Sequence, residues 1–309
     1  MRYLAALAEH KHFGRAAAAC HITQPALSNA MRALEQQFGV VIVKRGRAYG
    51  GLTPEGDRVL ATAQRMLREY GLLEQELRSE ANRPRGPIRM GAVPTAIPVL
   101  ARFSALLQAR HPGIAPVVLS MSSQELEAGL ETLTLDLALG YTDRMKMARN
   151  TQLTAWPQYT EHYFLLRRAG RPHKEGLRIG AKMKWKDAAQ YPIALLTPEM
   201  HNRTIIDSAF VTAGAQIKPA IETNSILTLA LSVVAGQVCS VMPGALVDTV
   251  RNYRELEALP LVQPEVRTPI GFMAQSGVRA SRALDAALAM LQDVAWLREA
   301  ATHSGLLSA

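Results

Sequence analysis

Residues 82–87, Asn82-Arg83-Pro84-Arg85-Gly86-Pro87, cut the chain into two stretches of different texture. Before them, apolar residues recur at helical spacing; after them, short apolar runs alternate with helix-length segments. Proline and glycine stop the preceding helix and leave a hinge. A chain of 309 residues is long enough for more than one core, so the break is expected to separate domains.

On the N-terminal side the spacing predicts a short helix over 2–9, a break at Phe13-Gly14 and a second helix over 15–20. A third helix starts at Thr23 as its cap, tolerates Pro25 in its first turn and keeps Leu27, Ala30, Met31 and Leu34 on one face as far as Gly39. Phe13, Ala16, Ala17, Leu27, Leu34 and Phe38 are assigned to the core of this small domain. Residues 40–52 read as two short strands around a basic turn, a wing carrying Lys44, Arg45 and Arg47. Two short helices, a tight break and a wing are the parts of a winged helix-turn-helix, whose second helix enters the major groove. Gln24 suits a paired contact to adenine, while Thr23, Pro25, Ser28 and Asn29 stand beside it at the helix start. Arg32 and the three wing cations suit phosphates. Each has a plainer reading as well: Thr23 caps the helix in any case, Ser28 and Asn29 suit any surface, and the wing suits a solvated turn.

Thr53, Pro54 and Glu55 then open a long helix. Its apolar positions Val59, Ala63, Met66, Tyr70, Leu73 and Leu77 alternate spacings of four and three, a seam that calls for a partner helix. From Ile88 onward the pattern is α/β and repeats after Thr160, with a strand at 269–273 and a helix at 281–297 returning to complete the first half. The expected organisation is a DNA-binding domain over 1–58, a linker helix and hinge over 59–87, one lobe over 88–160 with 267–303, and a second over 161–266. Loops at the C-terminal ends of the strands form natural crevices. They place Thr95, Ser122 and Ser123 in the first lobe and Thr197, His201 and Asn202 in the second as candidate effector contacts. Hydroxyls and helix starts favour a small anion, although Ser122 and Ser123 serve equally as helix caps.

Other classes fit less well. The net charge of +9 attracts polyanions without choosing among them. Cys20 and Cys239 are far apart in apolar surroundings, which suggests neither a disulfide framework nor a metal site and fits a reducing cytoplasm. No apolar span reaches the length of a bilayer, and the start lacks an export-signal layout, so a soluble protein is expected. The eight histidines are scattered, and no phosphate loop, zinc-helix pair or dinucleotide fingerprint is present; an enzyme and a bound cofactor are not expected. A solute-binding protein fused to a helical domain would leave the pattern of residues 24–56 idle.

That pattern is specific. Phe13-Gly14-Arg15-Ala16-Ala17, Thr23-Gln24-Pro25-Ala26-Leu27-Ser28, Leu34-Glu35-Gln36-Gln37-Phe38-Gly39, Arg45 and Leu52-Thr53-Pro54-Glu55-Gly56 follow one another as in the LysR-type transcriptional regulators, and the chain resembles that family. The likeness continues through Ile88-Arg89-Met90-Gly91, residues 135–140, and Val234-Ala235-Gly236-Gln237-Val238 with Met242-Pro243. It implies a dimer through the long helix, assembled into a tetramer as a dimer of dimers. It also implies two lobes like those of periplasmic binding proteins with an effector between them, double-stranded promoter DNA as target, and RNA polymerase as a partner of an activator. Thr95 and Ser122 or Ser123 match segments that contact effectors in the family. The opening is nearest the peroxide-sensing branch, but Asn202 stands where that branch has a reactive cysteine after the residue matching His201. Two departures remain: the family has further residues before the match to Arg2-Tyr3, so this chain is expected to begin inside the first helix. Val41-Ile42-Val43 replaces a leucine-phenylalanine pair near the wing.

Overall fold

Leu4 and Leu7 on one side of α1 (Arg2–His10), Ala16 and Ala17 on α2 (Phe13–Ala19), and Leu27 and Met31 on α3 (Gln24–Phe38) are buried together with Ile42 and Val43. α2 begins two residues before the expected start, because the imidazole Nδ1 of His12 accepts the backbone N–H groups of Gly14 (3.1 Å) and Arg15 (3.3 Å). A side chain that satisfies two orphan donors starts a helix wherever it stands, so Phe13-Gly14 is the first turn and not the break. The break lies at Cys20-His21-Ile22, where His21 turns the chain with a φ of 56°. α3 follows its expectation: Thr23 Oγ1 accepts from Ala26 N–H, and Gly39 ends the helix at a φ of 67°. Phe38 does not join the core; it is 45% exposed on the last turn of α3.

This is a computed structural model, and it describes residues 1–44, 46, 49–78, 83–147 and 152–302. Arg45 and Arg47 therefore lie outside the described residues. Among those described, Val43 and Leu52 form an antiparallel bridge at the base of the wing. The Glu35 carboxylate ties the chain entering it to α3, its Oε1 accepting from the N–H groups of both Ile42 (2.8 Å) and Val43 (3.1 Å). α4 (Pro54–Arg78) is capped by Thr53, whose hydroxyl accepts from Gly56 N–H (2.9 Å) and donates to the Val41 carbonyl (2.6 Å). A Cβ at Gly56 would run into the Ile42 carbonyl, so this turn requires glycine.

The four helices, with residues 131–134, form one compact unit; the rest form a second, described by itself. Its first lobe holds β1 (Gly86–Ala92), a 3₁₀ turn (Pro94–Ala96), α5 (Ile97–Arg110), β2 (Ile114–Ser120), α6 (Ser123–Glu131), β3 (Leu137–Tyr141) and α7 (Thr142–Met147). β4 (Leu153–Arg168) leads into the other lobe, made of β5 (Arg178–Ile179), β6 (Met183–Lys184), α8 (Trp185–Ala188), β7 (Ile193–Leu196), α9 (His201–Thr212), β8 (Ile221–Thr223), α10 (Ile226–Ala235), β9 (Cys239–Pro243), α11 (Gly244–Thr249) and β10 (Leu256–Val262). β11 (Arg267–Gln275) brings the chain back, followed by α12 (Arg282–Leu291) and α13 (Val294–Thr302).

The strands connect in the order β2-β1-β3-β11-β4-β9-β7-β8. β1 runs parallel to β2 and β3, and β7 runs parallel to β8 and β9, so each lobe is a small parallel α/β unit. β4 joins them: its first part pairs antiparallel with β11, and from Tyr163 onward it pairs with β9 and β10. One core surrounds β1, β3 and β11 with Phe103, Phe272 and Trp296; two others cover the faces of the second lobe around Leu166 and Trp185. The single helix expected over 281–297 is two, because the Asp293 carboxylate accepts from Ala295 N–H (2.8 Å) and caps a new helix. Cys20 and Cys239 are both free and buried. No helix among the described residues is long and apolar enough to cross a membrane.

Candidate nucleic-acid interface and effector crevice

The outer side of α3 is built by subtraction. Leu27, Met31 and Leu34 turn toward the core, which leaves Gln24, Pro25, Asn29 and Arg32 exposed and Ser28 half-buried along the other side. Thr23 is exposed at the helix start, where its hydroxyl also serves as the cap. Lys44 is exposed just before the wing turn. These side chains, with the positive end of α3, make a surface whose donors can meet phosphates and base edges.

Along α4 the six seam positions divide. Ala63 is fully buried and Val59 packs on the small-domain core, so these two are used within the chain. Met66, Tyr70, Leu73 and Leu77 are 50–78% exposed, a row of large apolar side chains on one side of the helix.

In the second unit, three segments that follow strands converge. Thr95 comes from the 3₁₀ turn after β1, Ser122 and Ser123 from the start of α6 after β2, and His201 and Asn202 from the start of α9 after β7. Together with Tyr141 at the end of β3 and Met200 they enclose a chamber of about 10 Å³, about one water molecule's room. The Thr95 hydroxyl bonds the Tyr141 hydroxyl at 3.0 Å, and Asn202 stands beside that same phenol. Ser123 Oγ and Asn202 Nδ2 are buried there with no hydrogen-bond partner. Ser122 is differently employed: its N–H and hydroxyl both donate to Glu125 Oε2 (2.7 and 2.8 Å), a capping box for α6. Thr197 is not among the residues lining the chamber, and its hydroxyl donates to Glu199 at 2.7 Å.

His201 packs edge-on against Tyr141, with ring centroids 5.0 Å apart, and also lines an outer basin of about 750 Å³ with Arg144, Thr204, Ser208, Glu265 and Arg267. Burial, then the nearby Arg144 guanidinium, holds its imidazole below the ordinary histidine value, so it is neutral at neutral pH. Tyr141 is pushed well above the ordinary phenol value by burial and stays protonated. Tyr141 escapes a reading of the sequence because it ends an apolar run and looks like one more core residue. Its only signal is its place at the C-terminal end of a parallel strand.

Residues 1–57 match the family described as "Bacterial regulatory helix-turn-helix protein, lysR family", and residues 81–296 match "LysR substrate binding domain". The DNA-binding transcriptional dual regulator OxyR of Escherichia coli K12 is 26% identical over 287 residues, covering 90% of this chain and 88% of the relative. A hydrogen peroxide-inducible genes activator of Haemophilus influenzae is 26% identical over 287 residues, covering 90% of each. Among solved structures, a full-length cysteine-to-aspartate variant of OxyR from Pseudomonas aeruginosa superposes with a TM-score of 0.68 at 23% identity, covering 94% of this chain and 96% of that one. Full-length CbnR complexed with its target DNA gives 0.64 at 21% identity, covering 97% and 98%. Helix-turn-helix, helical linker and two-lobed α/β domain thus agree in sequence and in fold, and the chain belongs to the LysR family of DNA-binding transcriptional regulators that carry an effector-binding domain.

Proposed function

We propose that this regulator reads a promoter through the outer side of α3 and is switched by a small molecule held between its two lobes, where His201 lines both the inner chamber and the outer basin. The observation that carries the effector reading is the pair of unpartnered buried atoms, Ser123 Oγ and Asn202 Nδ2, which face one chamber from opposite lobes. Buried polar atoms are satisfied in nearly all folds, so two orphans in one chamber mark a ligand's place. Thr95 and His201 line the same space, and the helix starts around it favour a small anionic metabolite. A thiol-based peroxide response is disfavoured: Asn202 follows His201, and burial pushes the Cys239 thiol up, away from reactivity.

Gln24, Ser28 and Asn29 are the base-reading candidates, with Thr23, Pro25, Arg32, Lys44, Arg45 and Arg47 positioning the backbone of double-stranded DNA. Met66, Tyr70, Leu73 and Leu77 form the interface of a dimer, two of which make the tetramer. The working boundaries are 1–58 for DNA binding, 59–87 for the linker, 88–160 with 267–303 for the first lobe and 161–266 for the second. Promoter binding sets the protein in the cytoplasm, where as an activator it would touch RNA polymerase.

The test is recovery of bound DNA from the native host, followed by gel shifts of the recovered sites at two salt concentrations. Gln24→Ala should lower preference for the operator over unrelated DNA by about 1–3 kcal/mol. Arg32→Ala should weaken binding to both and reduce the salt slope by about 1. Recovery of no dyad-symmetric promoter sites, or an Arg32→Ala slope equal to wild type, would sink the corresponding assignment.

A further inference from the structure

Glu161 lies on β4 opposite Thr268 of β11, two residues before β4 turns its pairing to the second lobe. It is wholly buried. Its Oε2 accepts from the hydroxyls of Thr268 (3.3 Å) and Tyr163 (3.4 Å), which themselves lie 3.1 Å apart. Its Oε1 has no hydrogen-bond partner. The groups facing this carboxyl are hydroxyls: Thr95 from the 3₁₀ turn, Tyr141 from β3, Tyr159 and Tyr163 from β4, and Thr268 from β11. Burial pushes all three phenols well above their ordinary value, so each stays neutral.

An ionised carboxylate is costly in such a place, because hydroxyls alone do not repay the lost hydration. With Oε2 accepting twice, Oε1 is the position for a proton, and a neutral carboxyl there is a hydrogen-bond donor. The buried unpartnered atoms around the Thr95–Tyr141 pair are then Glu161 Oε1, Tyr159 Oη, Ser123 Oγ and Asn202 Nδ2. All four can donate, and the start of α9 adds its positive end.

We propose that Glu161 is a positioning residue of the crevice: carrying its proton, it leaves the Thr95 hydroxyl, which faces both it and the chamber, free to donate together with Ser123 and Asn202 to a small carboxylate or similar oxyanion. The proposal rests on the reading of the chamber as the effector site. A carboxylate held there opposes loss of the Glu161 proton, so the anion and the proton bind together.

The test uses the full-length protein with sodium acetate as probe and sodium chloride as the ionic control. Binding is followed by intrinsic tryptophan fluorescence at about pH 6.5 and about pH 9, either side of the value near 8 to which burial raises Glu161. Acetate should bind wild type at the lower pH, and its apparent affinity should fall about tenfold at the higher one. Glu161→Gln, whose amide donates at both pH values, should lose that dependence, while Asn202→Ala should weaken acetate at both. Titration calorimetry of wild type at about pH 9 in two buffers of different ionisation enthalpy should show uptake of close to one proton per acetate, independently of any variant. Equal wild-type affinity at the two pH values with no proton uptake, or no acetate binding at the lower pH, overturns the role of Glu161. If acetate binds but Asn202→Ala and Thr95→Val leave its affinity unchanged, the chamber is not the effector site and both readings fall.

Discussion

In the unfolded chain Glu161 titrates near 4.5, and in the folded chain burial carries it to about 8, so folding takes up a proton between those values. The sign follows directly. The contribution of this neutral carboxyl is fully present below the unfolded value, declines as pH rises toward the folded one, and changes no further above it. The slope is about 1.4 kcal/mol per pH unit within that window. Glu161→Gln removes the titration and keeps the shape, so urea denaturation of the variant at about pH 5.5 and about pH 7.5 should show a shallower loss of stability than wild type. Parallel profiles would mean that Glu161 is already ionised in the fold. Thr95, Ser123 and Asn202 were legible in the sequence because each follows an apolar run and opens a helix, which is where α/β sheets keep their crevices. Glu161 and Tyr159 were not, since they sit within β4 and gain their meaning from β11, more than a hundred residues away: Glu161 pairs with Thr268. His12 was missed for a local reason, as histidine is not among the residues usually expected to cap a helix.

At the scale of elements, α4 has one side that its own chain cannot cover. Val59 packs on the small-domain core and Ala63 is buried, whereas Met66, Tyr70, Leu73 and Leu77 stay exposed. Burying a large aliphatic side chain against a partner contributes about 1.5–3 kcal/mol, and in a symmetric dimer each position counts twice. Leu73→Glu introduces one charge on each helix of such a pair. Sedimentation velocity should then find a smaller species than wild type, with an unchanged far-ultraviolet circular dichroism spectrum. Equal masses would remove Met66, Tyr70, Leu73 and Leu77 from the interface. The start of this helix was readable from Thr53-Pro54-Glu55, but the division of its seam was not, because spacing cannot tell an intrachain neighbour from a second chain. The same limit applies to β4, whose passage from one lobe to the other is seen only once its partners β11, β9 and β10 are in place.

For the whole molecule, the number of copies decides what the α3 side chains can achieve. A single helix-turn-helix offers a few base contacts and a salt-sensitive hold on phosphates, which is enough for weak binding to any duplex. Linking two copies through α4 makes the second half-site contact intramolecular, and avidity of this kind raises affinity by about 10²–10⁴ without any new contact. On the proposed assignment, operator selection is therefore as much a property of the exposed α4 row as of Gln24 or Asn29. Wild type should prefer DNA carrying two correctly spaced half-sites over DNA carrying one by a factor in that range. Leu73→Glu should lose most of the preference while its affinity for a single half-site, and the salt slope of that binding, stay near wild type. Gel shifts of both proteins on the two DNAs separate the possibilities. If the variant keeps the two-site preference, the copies are joined elsewhere. If it loses single-site binding as well, α4 supports the fold of the helix-turn-helix rather than its pairing. Only the loss of the ratio alone assigns recognition to α3 and selectivity between sites to the pair.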